Sequence, residues 1–462
     1  MQSASNTLTV VVVFIILAAA VSSTASADSI PNLTTVLSIS ELLRLAAPTD
    51  GQLVYVKGFY QPGDGGEGFF RYEAENTQVH DGGMVIVGSA PNPEEDLSAY
   101  LNWGIKSWRG PSGRWIRIAT GNAVNVRWYG AKGDGVQDDG LALTKAFRYF
   151  TDHRDGELGI IFVPQGTYLV KGQITVLPNT NVVGEGVGVS VIKREDGSNY
   201  LFISNPGQLN VTFSNLTLAN PERIILFKQA SDVSFHQVEF IGGIVRIETG
   251  SNIVVDSCRF VNNLGKSAYA SDNVDNAILV NNTVINPEQG GFNLSHHRNS
   301  YIANNTIVSD ERIQSGYAGI RLPNSATNNL VENNTIIGTD RGIFVLTSSE
   351  HNTIRNNTIK QTRLQGIFVE SSFNNIYGNT IVDCWGESVY VNNSDVSQAH
   401  HNIIMSNTIY DTEPPAAKNR FVALKVYGSH NLVLGNTVSG SQGRQFMDIR
   451  GENHEEGNVF NN

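Results

Sequence analysis

The sequence predicts an all-β protein built as a solenoid, in which short strands stack coil upon coil. An internal repeat is the main reason: Asn-Asn-Thr, or a looser Asn-Thr, recurs through the C-terminal half. The threonines of the repeat are Thr283, Thr306, Thr335, Thr358, Thr380, Thr408 and Thr437. Successive copies are therefore separated by 23, 29, 23, 22, 28 and 29 residues. A period near 22 residues with occasional insertions is typical of a stacked array. We expect the Asn of each Asn-Thr step to form a side-chain amide ladder at a bend, bonding to its equivalents one coil away.

Composition agrees with this architecture. A chain of 462 residues is long for one compact core but natural for a solenoid, whose core grows coil by coil. Only 16% of residues are charged and 45 are glycine, which favours short strands and tight bends. The net charge of −11 argues against a nucleic-acid partner. An anionic polysaccharide would need a local basic cluster or a bound cation to overcome that charge.

The first 27 residues predict a cleaved secretory signal. An apolar run from Val10 to Val21 is followed by Ala25-Ser26-Ala27, a small-x-small cleavage pattern. The run is too short to span a bilayer, so a membrane anchor is the weaker alternative. We therefore expect a secreted, extracellular protein with no membrane association after cleavage. Nine Asn-x-Ser/Thr sequons would allow glycosylation in a eukaryotic host.

Residues 28–122 predict a small β-rich module that precedes the solenoid. A short helix is expected near residue 40, with Ser40 as its N-cap. Alternating segments at 52–57, 67–72 and 114–118 predict short strands around glycine turns. Packing or capping is the simpler role for this module, and attachment or carbohydrate stacking is the alternative.

The segment after residue 123 carries a family resemblance. Gly130-Ala-Lys-Gly-Asp-Gly and Asp138-Asp139 precede an amphipathic helix at 141–153 and a strand that starts at Gly159. This resembles the opening of the pectate-lyase-like superfamily, which includes pectate lyases, polygalacturonases, alginate C5-epimerases and phage tailspike proteins. The resemblance implies a right-handed parallel β-helix over 123–462, whose first coil is capped by the helix at 141–153. Matched strands from about residue 170 onward give about a dozen coils. Tailspike relatives form trimers, but the sequence leaves the oligomeric state open.

A β-helix presents a long parallel sheet along which a linear sugar polymer can lie. Alternation predicts that Ile320 and Leu322 point inward while Arg321 faces solvent. The substrate-binding residues predicted on this outer face are Arg246, Tyr269, Asp272, Asn293, Phe344, Phe368 and Tyr390. Exposed aromatic rings there would stack on sugars, unless neighbouring insertions cover them.

The richest cluster of chemically active side chains falls within neighbouring coils. Cleavage of a uronic-acid polymer by β-elimination requires neutralisation of a carboxylate, removal of the C5 proton and protonation of the leaving oxygen. Arginine suits the first task, and histidine, lysine or tyrosine suits the others. The predicted catalytic residues are Lys266, His296, His297, Tyr317 and Arg321. The competing interpretation is that the two histidines only replace bend residues.

Family motifs argue against one reaction type but do not identify which of the others occurs. The polygalacturonase elements Asn-Thr-Asp, Gly-His-Gly and Arg-Ile-Lys do not occur in the sequence. Alginate epimerases carry Asp-Pro-His after a Gly-Phe, whereas here Gly291-Phe292 is followed by Asn293-Leu-Ser-His296. We therefore predict a polysaccharide lyase, with a mannuronan-type C5-epimerase as the alternative. A glycoside hydrolase using Glu248 and Asp272, or a non-catalytic glycan-binding adhesin, ranks lower.

The sequence commits to no cofactor and no metal ligand. Ca²⁺ stays open, because pectate lyases of the resembled superfamily use it. The nearest carboxylates for such a site are Asp256, Asp272 and Asp275, which form no tight group in the sequence.

Overall fold

The structure is a computed structural model, and it describes residues 33–88, 112–264, 267–310, 316–393, 398–412, 422–439 and 445–461. The predicted signal peptide lies outside these residues. The chain divides into two compact units whose boundary lies between residues 119 and 120. Within the described ranges, no helix is long and apolar enough to cross a bilayer.

The described residues of the N-terminal unit form a five-stranded sheet with one short helix. Its strands pair in the order β1-β2-β3-β5-β4. Their bounds, with helix α1, are β1 Thr34–Val36, α1 Ile39–Leu43, β2 Leu53–Val56, β3 Gly68–Glu73, β4 Val85–Val87 and β5 Arg114–Arg117. Trp115 and Phe70 are fully buried at the centre of its core. The N-cap of α1 is Ser38, whose hydroxyl accepts from the Glu41 N–H, so the prediction of Ser40 is wrong.

The second unit is a parallel β-solenoid, which confirms the predicted all-β fold class. It has about 16 turns rather than the dozen expected. Each regular coil contributes three strands, and equivalent strands of successive coils pair in parallel to form three faces. Strands β14 (Gly207–Asp256) and β16 (Ser267–Val280) are long and turn from one face to the next.

The three faces consist of the following strands. Face 1 contains β10 Ile174–Val176, β13 Phe202–Ser204, parts of β14 and β16, β18 Gly290–Ser295, β21 Ala318–Leu322, β24 Arg341–Val345, β27 Ile367–Val369, β30 Val389–Val391, β33 Leu424–Tyr427 and β36 Met447–Arg450. Face 2 contains β6 Ala123–Asn125, β8 Gly159–Val163, β11 Thr180–Gly184, parts of β14 and β16, β19 Tyr301–Ala303, β22 Leu330–Glu332, β25 Thr353–Arg355, β28 Asn375–Tyr377, β31 Ile403–Met405, β34 Leu432–Leu434 and β37 His454–Glu456. Face 3 contains β7 Asp134–Asp138, β9 Gly166–Leu169, β12 Ser190–Lys193, part of β14, β15 Arg259–Val261, β17 Thr283–Ile285, β20 Thr306–Val308, β23 Thr335–Ile337, β26 Thr358–Lys360, β29 Thr380–Val382, β32 Thr408–Tyr410, β35 Thr437–Ser439 and β38 Val459–Asn461.

Side-chain alternation fills the interior as predicted. Ile320 and Leu322 are fully buried inside the solenoid, whereas Arg321 between them is only half-buried on the outer side. Each strand of face 1 thus places every second side chain where a ligand could contact it.

The Asn-Thr repeat builds an internal amide ladder at the bend before face 3. Asn334 shows the pattern: its side-chain N–H groups donate to Ile302 O and Asn357 Oδ1, each at 2.9 Å. The ladder consists of Asn282, Asn305, Asn334, Asn357, Asn379, Asn407, Asn436 and Asn458. A second ladder, not predicted, consists of Asn329, Asn352, Asn374, Asn402, Asn431 and Asn453. The repeat is therefore structural, since it satisfies polar groups that the bends would leave unpaired.

A 14-residue helix, α2 (Gly140–His153), packs on the first coils, following a single 3₁₀ turn at Val126–Tyr129. Its Phe147 ring lies 5.8 Å from that of Phe202. Asp138 Oδ1 accepts from the Gly140 N–H at 3.0 Å, as expected of a residue at a helix start. Asp139 instead accepts from the N–H groups of Lys132 and Gly133, so it fixes the preceding loop.

Candidate active site on face 1

One outward column of face 1 forms the floor of the candidate site. Arg246, Ala270, Asn293 and Arg321 are register partners on four consecutive coils. Three coil steps separate the two arginines, or about 14 Å at the usual strand spacing. The small side chains between them leave a depression with a guanidinium group at each end.

This depression is a cleft of about 230 Å³. It is lined by Ile244, Arg246, Ser267, Ala270, Ser271, Asp272, Gln289, Asn293, Ser295, Tyr317, Arg321, Pro323 and Asn324. Five residues predicted from the sequence therefore line one cleft, namely Arg246, Asp272, Asn293, Tyr317 and Arg321.

The His296 side chain is hydrogen-bonded to Asp272, whose carboxylate group belongs to a residue that lines the cleft. Its Nδ1 lies 2.8 Å from Asp272 Oδ1 and 3.1 Å from Ser295 Oγ. Both partners of this dyad are about half exposed, so the imidazole is accessible from solvent. Among the residues that the structure describes, none bonds to His296 Nε2. An Asp–His pair of this kind holds the histidine with Nδ1 protonated and leaves Nε2 as a base.

The environment keeps the Asp272 carboxylate ionised. Partial burial raises the pKa of Asp272, but the hydrogen bonds from His296 and Ser295 and the charges of His296 and Arg246 outweigh burial. Its pKa therefore lies below the ordinary value. The carboxylate is charged throughout the neutral range, which is the state required to orient His296.

Arg321 supplies a cation at the other end of the cleft. Its Nη1 donates to Asn293 Oδ1 at 3.3 Å, and its guanidinium carbon lies 5.0 Å from the centre of the Tyr317 ring. Burial lowers the pKa of the guanidinium, which nevertheless stays protonated at any ordinary pH. Because no described carboxylate forms an ion pair with it, Arg321 can neutralise an anionic ligand.

The prediction that His297 is catalytic is wrong. The side chain is fully buried, with Nε2 2.5 Å from Ser271 Oγ and Nδ1 3.2 Å from Ser300 Oγ. Burial lowers its pKa to about 3, so it is a neutral core residue. The adjacent His296 is instead about half exposed on the outside of the solenoid and bonds to Asp272.

The prediction that Tyr269 binds substrate is also wrong. Its side chain is fully buried and contacts the Phe292 ring inside the solenoid, at a centroid distance of 6.2 Å. Tyr269 and Asp272 are three residues apart in one strand, and alternation allows only one of them to face outward. Asp272 is the outward one, and Ala270 occupies the outward position beside Tyr269.

The three outer aromatic residues form a stack rather than a sugar platform. Phe344 and Phe368 have ring centres 4.8 Å apart, and those of Phe368 and Tyr390 are 5.1 Å apart. Only 7% of each phenylalanine is exposed. Because rings stacked along the solenoid axis cover each other's faces, the prediction that Phe344 and Phe368 stack on sugars is wrong. Tyr390 is half-buried, and Lys425 Nζ lies 4.3 Å from its ring centre.

Lys266 lies outside the described residues, so its catalytic role stays a prediction. Sequence reasoning missed Asn324, which lines the cleft and donates through Nδ2 to Ser295 Oγ at 3.0 Å. It also missed Arg341, although a basic residue at the start of a face 1 strand was a signal that could have been followed. No group of three or more His, Cys, Asp or Glu side chains arranged for a metal occurs among the described residues.

Comparisons with known proteins agree with this architecture. Residues 123–316 match the family model described as rhamnogalacturonase A/epimerase, pectate lyase-like. The resemblance to the pectate-lyase-like superfamily is confirmed. Residues 35–120 match a small four-stranded β-sheet domain of phage tail proteins, and residues 307–462 match the family of the periplasmic copper-binding protein NosD.

Three curated relatives share short stretches with this chain. The pre-neck appendage protein of Bacillus phage phi29 is 37% identical over 102 residues, which are 21% of this chain and 11% of the relative. Mannuronan C5-epimerase AlgE1 of Azotobacter vinelandii is 39% identical over 80 residues, or 16% and 6% of the two chains. Alginate lyase 7 of the same organism is 38% identical over 80 residues, or 16% and 9%. The chain thus spans about a tenth or less of the length of these relatives.

A solved structure resembles most of the solenoid. The A-module of A. vinelandii mannuronan C5-epimerase AlgE6 superposes with a TM-score of 0.63 at 21% identity. The match covers 73% of this chain and 98% of that module. At this identity the likeness shows the fold alone.

Proposed function

We propose that this protein is an extracellular enzyme that cleaves an anionic, uronate-containing polysaccharide by β-elimination in the cleft on face 1. The observation that carries the proposal is that Asp272, which is hydrogen-bonded to the accessible His296, lines the same cleft as Arg321. Matches to an alginate lyase and to mannuronan epimerases support the substrate class.

The chemistry follows from what each group can do. Arg321, helped by Asn293, neutralises the uronate carboxylate and so makes the C5 proton more acidic. His296 Nε2 removes that proton while Asp272 stabilises the imidazolium that forms. The electron pair of the C5–H bond forms a C4–C5 double bond, and the C4–O bond breaks. Tyr317 lines the same cleft, and in this mechanism its hydroxyl supplies the proton that the leaving oxygen takes up.

C5 epimerisation is the second candidate, because five of the curated relatives carry that name. It shares the first step, but the carbanion receives a proton on its opposite face and the chain is not broken. The cleft supports either outcome, since both need the same carboxylate neutralisation and the same base.

One assay separates the candidates. The purified protein is incubated in deuterated buffer with alginate, pectate, glucuronan, hyaluronan and chondroitin. We expect ultraviolet absorbance from an unsaturated uronate together with chain shortening. Deuterium at C5 without shortening would establish epimerisation instead. New reducing ends without absorbance, or binding without any reaction, would contradict both candidates.

A further inference from the structure

A second guanidinium group lies next to Arg321, outside the cleft lining. Arg341 begins strand β24, and its guanidinium carbon lies 4.8 Å from the centre of the Phe344 ring and 5.4 Å from that of Phe368. The guanidinium carbon of Arg321 lies 5.9 Å from the same Phe344 ring. One aromatic ring therefore contacts two cations, which holds them on the outer side of consecutive coils.

Neither of these arginines has an anionic partner. Arg341 donates through Nε to Gln365 Oε1 at 2.8 Å and through Nη1 to the carbonyl of Gly316. Arg321 donates to the amide of Asn293. These acceptors are all neutral, and in the described part of the chain neither arginine lies within 4.0 Å of a carboxylate. At longer range Asp340 and Glu370 attract Arg341, and Glu370 attracts Arg321.

Several other cations on or near face 1 form ion pairs, unlike these two. Arg246 bonds to Glu248 at 2.7 Å, Lys425 to Glu387 at 3.1 Å and Arg450 to Asp448 at 3.0 Å, and Arg363 pairs with Asp340. Arg321 and Arg341 are half-buried like charges that form no direct ion pair, repel each other and have lost part of their hydration. That arrangement is unfavourable unless an anion occupies the space beside them.

We propose that Arg321 and Arg341 bind the carboxylates of two successive uronate residues of one polymer chain. This proposal rests on the proposed function and makes it more specific. Arg321 takes the carboxylate of the sugar that reacts, and Arg341 takes that of a neighbouring sugar towards the C-terminal coils. The planar guanidinium fork suits carboxylates, and the Phe344–Phe368 stack fixes its orientation. The enzyme therefore prefers blocks of consecutive uronates to polymers in which uronates alternate with uncharged sugars.

The test uses Arg341→Gln, which keeps hydrogen-bonding capacity but removes the charge. On a polyuronate block we expect KM to rise about ten- to a hundredfold, as for loss of a charge-assisted hydrogen bond, while kcat changes little. On an alternating uronate polymer KM should stay the same. Arg341→Lys should give an intermediate KM, because the charge remains but the fork is lost. The matched control is Arg148→Gln, which removes an exposed arginine on α2.

Binding measurements keep this proposal testable even if no polymer is cleaved. Calorimetry with purified oligouronates should show weaker binding to Arg341→Gln than to the unmodified protein, and equal binding of both to uncharged oligosaccharides. Unchanged affinity for oligouronates would overturn the two-arginine site whatever the reaction is. Equal losses on block and alternating polymers would also overturn it. Thermal unfolding of each variant verifies that the solenoid is intact.

Discussion

The carboxylate of Asp272 lies 2.8 Å from Nδ1 of His296, across one coil step and at the edge of a cleft that Arg321 also lines. This pair predicts a specific loss on Asp272→Asn. An amide no longer stabilises the imidazolium and no longer imposes the protonated Nδ1. We expect turnover to fall about 10²- to 10⁴-fold with little change in stability, measured by steady-state kinetics and thermal unfolding.

A second Asp–His pair on the same solenoid provides the control. His236 Nδ1 lies 3.6 Å from Asp256 Oδ2, and both side chains are partly exposed. Neither residue lines the cleft. Asp256→Asn should therefore leave turnover unchanged. An equal loss in both variants would mean that the effect of Asp272→Asn comes from general surface charge.

Substitution of each of the two adjacent histidines should have opposite effects on turnover and stability. His296→Ala removes the accessible base and should abolish turnover while the melting temperature stays nearly constant. His297→Ala leaves a cavity and deprives the hydroxyls of Ser271 and Ser300 of a partner. We expect it to cost about 2–4 kcal/mol of unfolding free energy, measured by urea denaturation. A stable His297→Ala variant without activity would instead mean that the buried His297, and not only the exposed His296, takes part in the reaction.

The unfolding free energy should depend on pH in a way that reflects the burial of His297. Its pKa in the folded protein is lowered by burial to about 3, from an ordinary value of 6.5. The unfolded chain therefore binds more protons than the folded protein between these values. The stability that the neutral ring contributes is fully present above pH 6.5 and is lost progressively as the pH falls towards 3.

Urea unfolding at several pH values across this range checks that expectation. His297→Gln keeps a polar side chain that does not titrate, so its unfolding free energy should fall less steeply with acidity than that of the unmodified protein. Identical pH profiles for the two proteins would contradict a buried neutral histidine.

The features that the sequence predicts correctly are those that repeat. Alternation places Ile320 and Leu322 inside and Arg321 outside, because a period of two leaves no freedom once the strand is located. The Asn-Thr repeat predicts an amide ladder for the same reason: each copy can bond to the next only if the coils are in register. The sequence predicts fewer coils than the structure has because its count begins near residue 170, whereas the strands of the solenoid begin at Ala123.

The errors fall where the repeat is interrupted. The prediction for Tyr269 is wrong because it relied on residue type. Strand alternation allows only one of Tyr269 and Asp272 to face outward. His297 could not be distinguished from His296, because the turn between them is set by a positive backbone φ of 51° at His296, which no periodicity reveals. The burial of Phe344 and Phe368 depends on stacking between coils, which single positions do not show.

The amide ladder predicts a strong difference between neighbouring asparagines. Asn357 is fully buried and exchanges hydrogen bonds with Asn334, Asn379 and the Val331 carbonyl. Asn357→Ala leaves several of these groups unpaired and should cost about 3 kcal/mol or more of unfolding free energy. Chemical denaturation measures the loss.

Asn356 is the matched control for this variant. Its φ is 54°, in the left-handed region that glycine adopts freely. Asn356→Gly should therefore change stability by only a few tenths of a kcal/mol. A loss as large as that of Asn357→Ala would show that the bend, and not the ladder, holds the coils together.

Substitution of Glu248 distinguishes β-elimination from hydrolysis. It is the register partner of Asp272 on the preceding coil, so the two carboxylates are the pair that a glycoside hydrolase would use on this face. In the elimination mechanism Glu248 has no proton to transfer, and its role is to hold Arg246 at 2.7 Å. Glu248→Gln should therefore retain turnover, and it should lower KM because the Arg246 cation is freed for the polyanion. Hydrolysis would require both carboxylates, so Glu248→Gln would then lose as much turnover as Asp272→Asn. The unmodified enzyme would also produce reducing ends without an unsaturated product. These two results together would replace β-elimination with a hydrolytic mechanism.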